Sequence, residues 1–171
     1  MVAQIPISVA ALVRDGLVLV VHLHPSRRWY PDCWDLVGGH IESGELPHQA
    51  VSRECLEELG VHVHHPLPIP ITISDPTLDM HAFLVTRWEG EPVNAAPEEH
   101  DDLRWFRPSD LADLNIAHPA SLPSILSAVK GTVDLTVFPA LTAEPLVRPE
   151  RCRDDRDTER RVQEDQAGAD R

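Results

Sequence analysis

Residues 39–61 read Gly39-His40-Ile41-Glu42-Ser43-Gly44-Glu45, then seven further residues, then Arg53-Glu54-Cys55-Leu56-Glu57-Glu58-Leu59-Gly60-Val61. The second half has the pattern of an amphipathic helix over residues 47–59, because proline fits a first helical turn and Gly60 suits a helix end. Its apolar positions recur every four residues and predict contact with a core. They are Val51, Cys55 and Leu59.

Three acidic side chains share another side of this predicted helix. Glu54, Glu57 and Glu58 occupy positions i, i+3 and i+4, which places them within an arc of about 100°. Neighbouring carboxylates repel each other unless a cation lies between them, and Mg²⁺ commonly binds carboxylates together with substrate phosphates. A solvated acidic helix face is the alternative for these three residues taken alone.

Residues beside the helix supply the other groups that such a cation site needs. The Gly38-Gly39 pair lets the backbone approach closely, and its carbonyl is a further oxygen ligand. Arg53 directly precedes the acids, and a guanidinium orients a carboxylate through a pair of hydrogen bonds. The stretch therefore predicts a magnesium site that faces a phosphate-bearing substrate.

The whole stretch resembles the Nudix box, G-x5-E-x7-R-E-U-x-E-E-x-G-U, where U is an aliphatic residue. All seven fixed positions match, Val61 fits the second U, and Cys55 is an unusual but small apolar residue at the first. Seven fixed residues match by chance at about 10⁻⁸ per starting position. The resemblance to the Nudix hydrolases covers residues 4–130, and residues 34–39 are similar to the approach to the box in many members. Residues 88–92 and 103–106, followed by Asp110-Leu111, are similar to the branch that cleaves nucleoside triphosphates, including enzymes that clear 8-oxo-guanine nucleotides.

This resemblance implies an α+β fold, an α/β/α sandwich around a mixed β-sheet, with the box at the edge of the sheet. It implies that Glu54, Glu57 and Glu58 hold Mg²⁺, or Mn²⁺, together with the Gly39 carbonyl. The implied catalytic residues are Glu54 as the base for the attacking water, Arg53 as the residue that orients the glutamates, and Glu57. The implied reaction is hydrolysis of a nucleoside or deoxynucleoside triphosphate, oxidised or normal, to the monophosphate and pyrophosphate.

The chain departs from the family pattern at several positions that contact the metal or the substrate in relatives. Ala96 stands where many relatives have a glutamate that binds metal, and Glu98 or Glu99 replaces it; we assign Glu98 to the metal. A histidine stands where an asparagine recognises guanine in the 8-oxo-guanine group, which argues against that substrate. We predict substrate contacts from His24, which replaces a frequent arginine, from Arg27 nearby, and from His118, the histidine in the guanine-binding position.

Three alternatives remain open at this point. Pro76 follows the box by 15 residues, a spacing similar to that of Nudix enzymes that cleave ADP-ribose, so a substrate of the type nucleoside diphosphate linked to another group is the second candidate. Another alternative is a sensor that binds a nucleotide without hydrolysing it, although the complete set of box acids argues against it. An isoprenyl diphosphate isomerase shares the fold, but its features outside the box are not found.

Charge and composition exclude other classes of function. The chain of 171 residues has a formal net charge of −13, whereas a nucleic-acid polymer requires clustered Lys and Arg. No apolar run of about 18 residues predicts a membrane span. Three scattered cysteines predict free thiols in a reducing compartment. We therefore expect a cytoplasmic protein that binds a small nucleotide, and a homodimer is left open.

The remaining pattern divides the chain into three parts. We predict a Nudix domain over residues 1–130, a C-terminal extension over 131–144 and a disordered charged tail over 145–171, because the tail has little apolar surface to bury. Within the domain, Asp15-Gly16 joins two apolar runs into a hairpin. A last helix is predicted over residues 121–130, ending at Gly131, with a further strand over 133–138.

Overall fold

The computed structural model describes residues 4–137. Within that range the chain forms nine strands, two α-helices and two 3₁₀ helices. The strands are β1 (Ile5–Arg14), β2 (Leu17–Leu23), β3 (Trp34–Asp35), β4 (Val37–His40), β5 (His62–Val63), β6 (Leu67–Ile69), β7 (Leu78–Val85), β8 (Trp88–Glu89) and β9 (His100–Phe106). The helices are α1 (Pro47–Leu59) and α2 (Leu122–Val137), with 3₁₀ helices at Pro108–Asp113 and Pro119–Ser121.

Strand β1 is the centre of a mixed seven-stranded sheet. It pairs in parallel with β7 along most of its length and antiparallel with β4 through its first half. Its second half forms the predicted hairpin with β2, which in turn pairs with β3 and β9. β6 closes the other edge beside β7, and β5 and β8 form a separate two-stranded sheet. This arrangement places the Gly38-Gly39 segment of β4 directly beside α1.

Alternation along the strands produces two apolar layers, one on each face of the sheet. One layer packs against Val51, Cys55 and Leu59 of α1, the three positions that the sequence predicts to be buried. The other packs against Ile125 and Val129 of α2. Because successive strand residues point to opposite faces, β1 contributes to both layers. The predicted α/β/α sandwich with a mixed sheet is confirmed.

The predicted bounds of α1 are confirmed, whereas those of the last helix are wrong. Gly60 ends α1 in the left-handed conformation, at φ +69°, and its N–H donates to the Leu56 carbonyl. Helix α2 continues through Gly131 to Val137, so the strand expected over residues 133–138 is also wrong as far as the described residues extend. A glycine in a helix costs only about 1 kcal/mol, and Gly131 has open space around it.

Two expectations concern parts of the chain that are not described. The charged tail over residues 145–171 and half of the extension over 131–144 lie outside residues 4–137, so the three-part division stays a prediction. In the described part, no helix combines the length and apolar character that a membrane span requires.

Candidate active site

Gly38 and Gly39 bring the backbone of β4 into contact with its neighbours. Gly38 has φ +153°, and a Cβ there would lie 2.1 Å from the Ser8 carbonyl oxygen, so only glycine fits. A Cβ on Gly39 would lie 2.5 Å from Glu54 Oε1. The Gly39 backbone therefore lies directly against the Glu54 carboxylate.

Arg53 joins the loop before α1 to the acids of the helix. Its Nη1 donates to Glu54 Oε1 at 2.8 Å and to Glu57 Oε2 at 3.1 Å. Its Nε and Nη2 donate to the two carboxylate oxygens of Glu45 at 3.1 and 3.0 Å, and Nη2 also donates to the His40 carbonyl at 2.9 Å. The hydrogen bond from Arg53 lowers the pKa of Glu45 and, with those to Glu54 and Glu57, raises the pKa of Arg53. One guanidinium thus fixes four acceptors around the site.

The three box acids occupy different environments. Glu54 and Glu58, one helical turn apart, are buried, whereas the Glu57 side chain is 59% exposed. Burial raises the pKa of Glu58 to about 9, and the charges of Glu54 and Glu99 act in the same direction. Burial also raises the pKa of Glu54, against the opposing effect of Arg53. Two neighbouring carboxylates are therefore held in a position where their negative charge is unfavourable.

A second group from β9 and the turn before it meets Glu58. Ligand atoms of Glu58, Glu99 and His100 all lie within 4.8 Å of one another. Burial lowers the pKa of His100 to about 4, which keeps its imidazole neutral. Glu99 also accepts a hydrogen bond from Arg27 Nη1 at 2.8 Å. Glu98, which the sequence analysis assigns to the metal, is exposed and outside this group, so its role stays a prediction and Glu99 is the better-placed loop acid.

These residues fit the divalent cation that the family implies. Glu58 Oε2 is buried without a hydrogen-bond partner among residues 4–137, and an orphaned buried acceptor is costly. A cation there would supply that partner and remove the repulsion between Glu54 and Glu58. Oxygen donors of this kind suit Mg²⁺ and Mn²⁺. Glu54, Glu58 and Glu99, with the Gly39 carbonyl, would hold the ion, and the role of the exposed Glu57 as a further ligand stays a prediction.

A cavity of about 150 Å³ opens beside this acidic group. Gly38, Gly39 and His100 line it on the side of the acids, and most of its other walls are apolar. The apolar lining comes from β1, β2, β7 and the loop after β2, and includes Ile7, Val9, Leu23, Tyr30, Leu78 and Met80. A cavity with apolar walls and a few polar groups is typical of a small-molecule site.

Asp35 and His118 provide polar groups in this cavity. Asp35 Oδ2 lies 3.9 Å from His118 Nε2, beyond hydrogen-bond distance, while Asp35 Oδ1 accepts the N–H of Leu36 at 2.8 Å. Tyr30 packs edge-on against the His118 ring with centroids 4.6 Å apart, and its hydroxyl donates to Asp75. Tyr30 has φ +53°, an uncommon conformation for a bulky residue, which the surrounding contacts hold in place.

The three residues predicted to contact the substrate have different positions. Arg27 and His118 line the cavity. His24 is not among the described lining residues. Its ring Nδ1 contacts the Ser26 hydroxyl at 2.7 Å, and its backbone N–H donates to the Glu99 carbonyl. His24 therefore supports the turn that carries Glu99, and its contact with substrate stays a prediction.

Asp35, Glu99 and His100 are the site residues that the sequence analysis did not assign. Each acquires its neighbours from segments far away in the chain, such as His118 for Asp35. A signal for Asp35 was present, because an acidic residue there interrupts the apolar run before Gly38-Gly39. The sequence indicates His100 more weakly, because it stands between two pairs of acidic residues, a pattern that is typical of an exposed segment.

A comparison with protein families gives the same result as the box. The family model described as the NUDIX domain matches residues 4–126, most of the chain. The chain belongs to the Nudix family. The family and the class of hydrolase expected from the sequence are therefore confirmed.

Several known proteins are similar to this Nudix chain. The NAD-capped RNA hydrolase NudC of Stutzerimonas stutzeri is 32% identical over 63% of the chain, which spans only 38% of that relative. The CTP pyrophosphohydrolase of Escherichia coli is 28% identical over 70% of the chain and 87% of the relative. The nucleoside triphosphatase NudI of Escherichia coli is 31% identical over 60% of the chain and 83% of the relative. A crystal structure of a MutT Nudix hydrolase from Burkholderia pseudomallei has a TM-score of 0.59 and 29% identity, over 63% of this chain and 86% of that one.

Glu57→Gln tests the exposed acid of the Nudix box. We expect a nearly complete loss of turnover, about a hundredfold or more, with the fold retained, since the side chain keeps its size and is already exposed. The measurements are the rate of nucleotide hydrolysis and the thermal melting curve. Glu89→Gln, an exposed acid on β8, serves as the control and should retain the wild-type rate. An unchanged rate in Glu57→Gln would remove Glu57 from the metal site.

Asp35→Asn tests the partly buried carboxyl that lines the cavity. Burial raises the pKa of Asp35 to about 6, against the opposing effect of His118. The folded state therefore favours the protonated form of Asp35. The resulting contribution to the stability of the fold is complete below the ordinary pKa of an aspartate and is lost as the pH rises through about 6. The variant is neutral at every pH, so it should gain on the wild type by about 2 kcal/mol between pH 4 and pH 8. Urea denaturation across this range measures the difference, and a constant difference would contradict the burial effect.

Proposed function

We propose that the chain is a metal-dependent hydrolase that cleaves a phosphate anhydride of nucleoside or deoxynucleoside triphosphates, oxidised or normal, to the monophosphate and pyrophosphate. One observation carries the proposal: a largely apolar cavity with Asp35 and His118 opens directly onto the Gly39 backbone, where the buried carboxylates gather. A base in the cavity places its phosphates over those carboxylates. The similarity to the CTP pyrophosphohydrolase and the nucleoside triphosphatase supports this substrate class.

The residues of the chain divide the work of the reaction. Glu54 accepts the proton of the attacking water at a carboxylate oxygen, and Arg53 holds that carboxylate in place through Nη1. Arg27 donates to Glu99 and also lines the cavity, so that its guanidinium can bind phosphate oxygens there. When bound, the divalent cation neutralises the phosphate oxygens and stabilises the departing oxygen.

The cavity predicts a preference among bases. The Asp35 carboxylate accepts a hydrogen bond, so it favours a base with an exocyclic amino group, and His118 contacts the adjacent ring position. We expect CTP, ATP or GTP to have a kcat/KM about tenfold above that of UTP. Asp35→Asn should remove most of this discrimination, because an amide both donates and accepts. Equal preference in wild type and variant would remove Asp35 from base recognition.

The second candidate is cleavage of a nucleoside diphosphate linked to another group. The similarity to the NAD-capped RNA hydrolase favours it, as does the position of Pro76. A panel of the common nucleoside triphosphates, 8-oxo-dGTP, ADP-ribose, NAD and a nucleotide sugar distinguishes the candidates. Each substrate is incubated with Mg²⁺, with Mn²⁺ and with chelator.

The products of that panel decide between the readings. Pyrophosphate from triphosphates, dependent on the metal, supports the proposal. Two monophosphates from ADP-ribose or NAD, with triphosphates intact, would replace it by the second candidate. Binding of nucleotide without any turnover would indicate a sensor. The cytoplasmic location and the homodimer left open by the sequence stay predictions.

A further inference from the structure

We propose that His100 is a direct metal ligand, so that with Glu58 and Glu99 it forms a mixed nitrogen and oxygen centre that binds a first-row transition cation more tightly than Mg²⁺. The proposal rests on the metal site of the proposed function. It assigns to this chain an imidazole ligand that the Nudix box itself does not contain, since all metal ligands expected from the sequence are oxygen atoms.

His100 is buried next to the acids of the site. It is the first residue of β9 and only 2% exposed, and its Nε2 lies 3.5 Å from Glu58 Oε2, which belongs to a side chain equally withdrawn from solvent. The neighbouring Glu99 completes the group, with ligand atoms of all three residues within 4.8 Å of one another. Three potential ligands from α1, β9 and the turn before β9 thus converge on one point.

Two buried polar atoms of this group lack hydrogen bonds. Among residues 4–137, neither Glu58 Oε2 nor His100 Nδ1 has a hydrogen-bond partner. The structure therefore does not use His100 as a donor to Glu58, and no acceptor fixes the imidazole proton on one nitrogen. With the imidazole proton on Nδ1, the Nε2 lone pair is available to a cation, and the same cation would provide Glu58 Oε2 with its missing partner. Buried polar atoms are normally satisfied, and a cation shared by Glu58 and His100 would satisfy the orphaned Glu58 Oε2.

The chemistry of the ligands determines which cations the centre favours. Mg²⁺ prefers oxygen ligands and retains much of its water, so an imidazole adds little to its binding. The affinity of mixed nitrogen and oxygen sites rises from Mn²⁺ through Co²⁺ to Ni²⁺. We therefore expect the full-length chain to bind Mn²⁺ at least tenfold more tightly than Mg²⁺, and Co²⁺ more tightly still.

The experiment uses the metal alone with the full-length chain after treatment with chelator. One equivalent of Mn²⁺ is added, and pulsed electron paramagnetic resonance detects nitrogen bound to the ion. Calorimetry measures the Kd for Mn²⁺ and for Mg²⁺. We expect a directly coordinated nitrogen in the wild type and the tenfold preference for Mn²⁺. Absence of the nitrogen signal in the wild type would overturn the proposal without any variant.

Two variants identify the nitrogen. His100→Gln should lose the nitrogen signal and bind Mn²⁺ about tenfold more weakly, with less than a threefold change for Mg²⁺. His100→Asn repeats the test if the first variant melts early. His81→Gln is the matched control, because His81 lies on β7 and is exposed, and it should retain both signal and affinity. A nitrogen signal that persists in a folded His100 variant, or equal losses for Mn²⁺ and Mg²⁺, would overturn the assignment.

This result is separable from the proposed function. Nitrogen coordination without hydrolysis of any nucleotide would leave His100 as a ligand and refute the proposed activity. Hydrolysis of triphosphates by a protein whose Mn²⁺ shows no nitrogen ligand would support the proposed activity and refute His100 as a ligand.

Discussion

Glu54→Gln should lower kcat about a thousandfold or more while the fold is retained. The side chain lies against the Gly39 backbone and accepts a hydrogen bond from Arg53 at 2.8 Å. The amide keeps this size and this hydrogen bond, but it lacks both the negative charge and the capacity to accept a proton from water. Loss of a positioned general base alone costs 10²–10⁴ in rate, as an order of magnitude, and loss of a metal ligand adds to it.

The measurement compares kcat and the urea midpoint of Glu54→Gln with those of the wild type. Without metal the variant should be at least as stable, since burial raises the pKa of Glu54 and makes its charge unfavourable. Glu91→Gln is the matched control, because Glu91 also pairs with an arginine but lies outside the cavity. A variant with more than a tenth of the wild-type kcat would show that another residue is the base.

Arg53→Lys should reduce both activity and stability, because a lysine ammonium cannot replace the planar guanidinium that bridges four acceptors. Arg53 contacts Glu45, Glu54 and Glu57 as well as the His40 carbonyl. The loss leaves the partly buried Glu54 without its partner, so we expect the free energy of unfolding to fall by about 2–4 kcal/mol. The kcat should fall about a hundredfold, since Glu54 is no longer held in one orientation.

Arg14→Lys provides the comparison for Arg53→Lys. Arg14 makes two hydrogen bonds to Glu91, but both side chains are exposed, and exposed pairs contribute little to stability. Its kcat should equal that of the wild type, and its free energy of unfolding should fall by no more than about 1 kcal/mol, because Arg14 also stacks on the Trp105 ring at 4.6 Å. If the two lysine variants behaved alike, the network around Arg53 would have no special role.

The helix of the box could be predicted closely because its limits are set by local chemistry. Pro47 begins α1 and Gly60 ends it, as the sequence predicts, and neither depends on distant residues. The sequence predicts the last helix too short, because tertiary context and not the local presence of Gly131 determines where α2 ends. Gly131 ends a helix when it occupies the terminal position, but here α2 simply continues through it.

The candidate site was predicted in part, and the errors follow from what a one-dimensional pattern contains. Glu54, Glu57 and Glu58 do share one side of α1, yet only the tertiary fold buries Glu54 and Glu58 and leaves Glu57 in solvent. The choice between Glu98 and Glu99 depends on how the turn enters β9, which the spacing does not reveal. Asp35 meets His118 across 83 residues, and such pairs arise only from the topology of the sheet.

Anomalous diffraction from crystals with Mn²⁺ and a non-hydrolysable nucleoside triphosphate analogue tests the central claim most directly, because it locates the ion and the base in one measurement. We predict Mn²⁺ within about 2.0–2.5 Å of carboxylate oxygens of Glu54 and Glu58, with the base in contact with Asp35 and His118 and the phosphates over Gly39. Manganese bound elsewhere, with Glu54 and Glu58 in contact only with protein atoms or water, would contradict it.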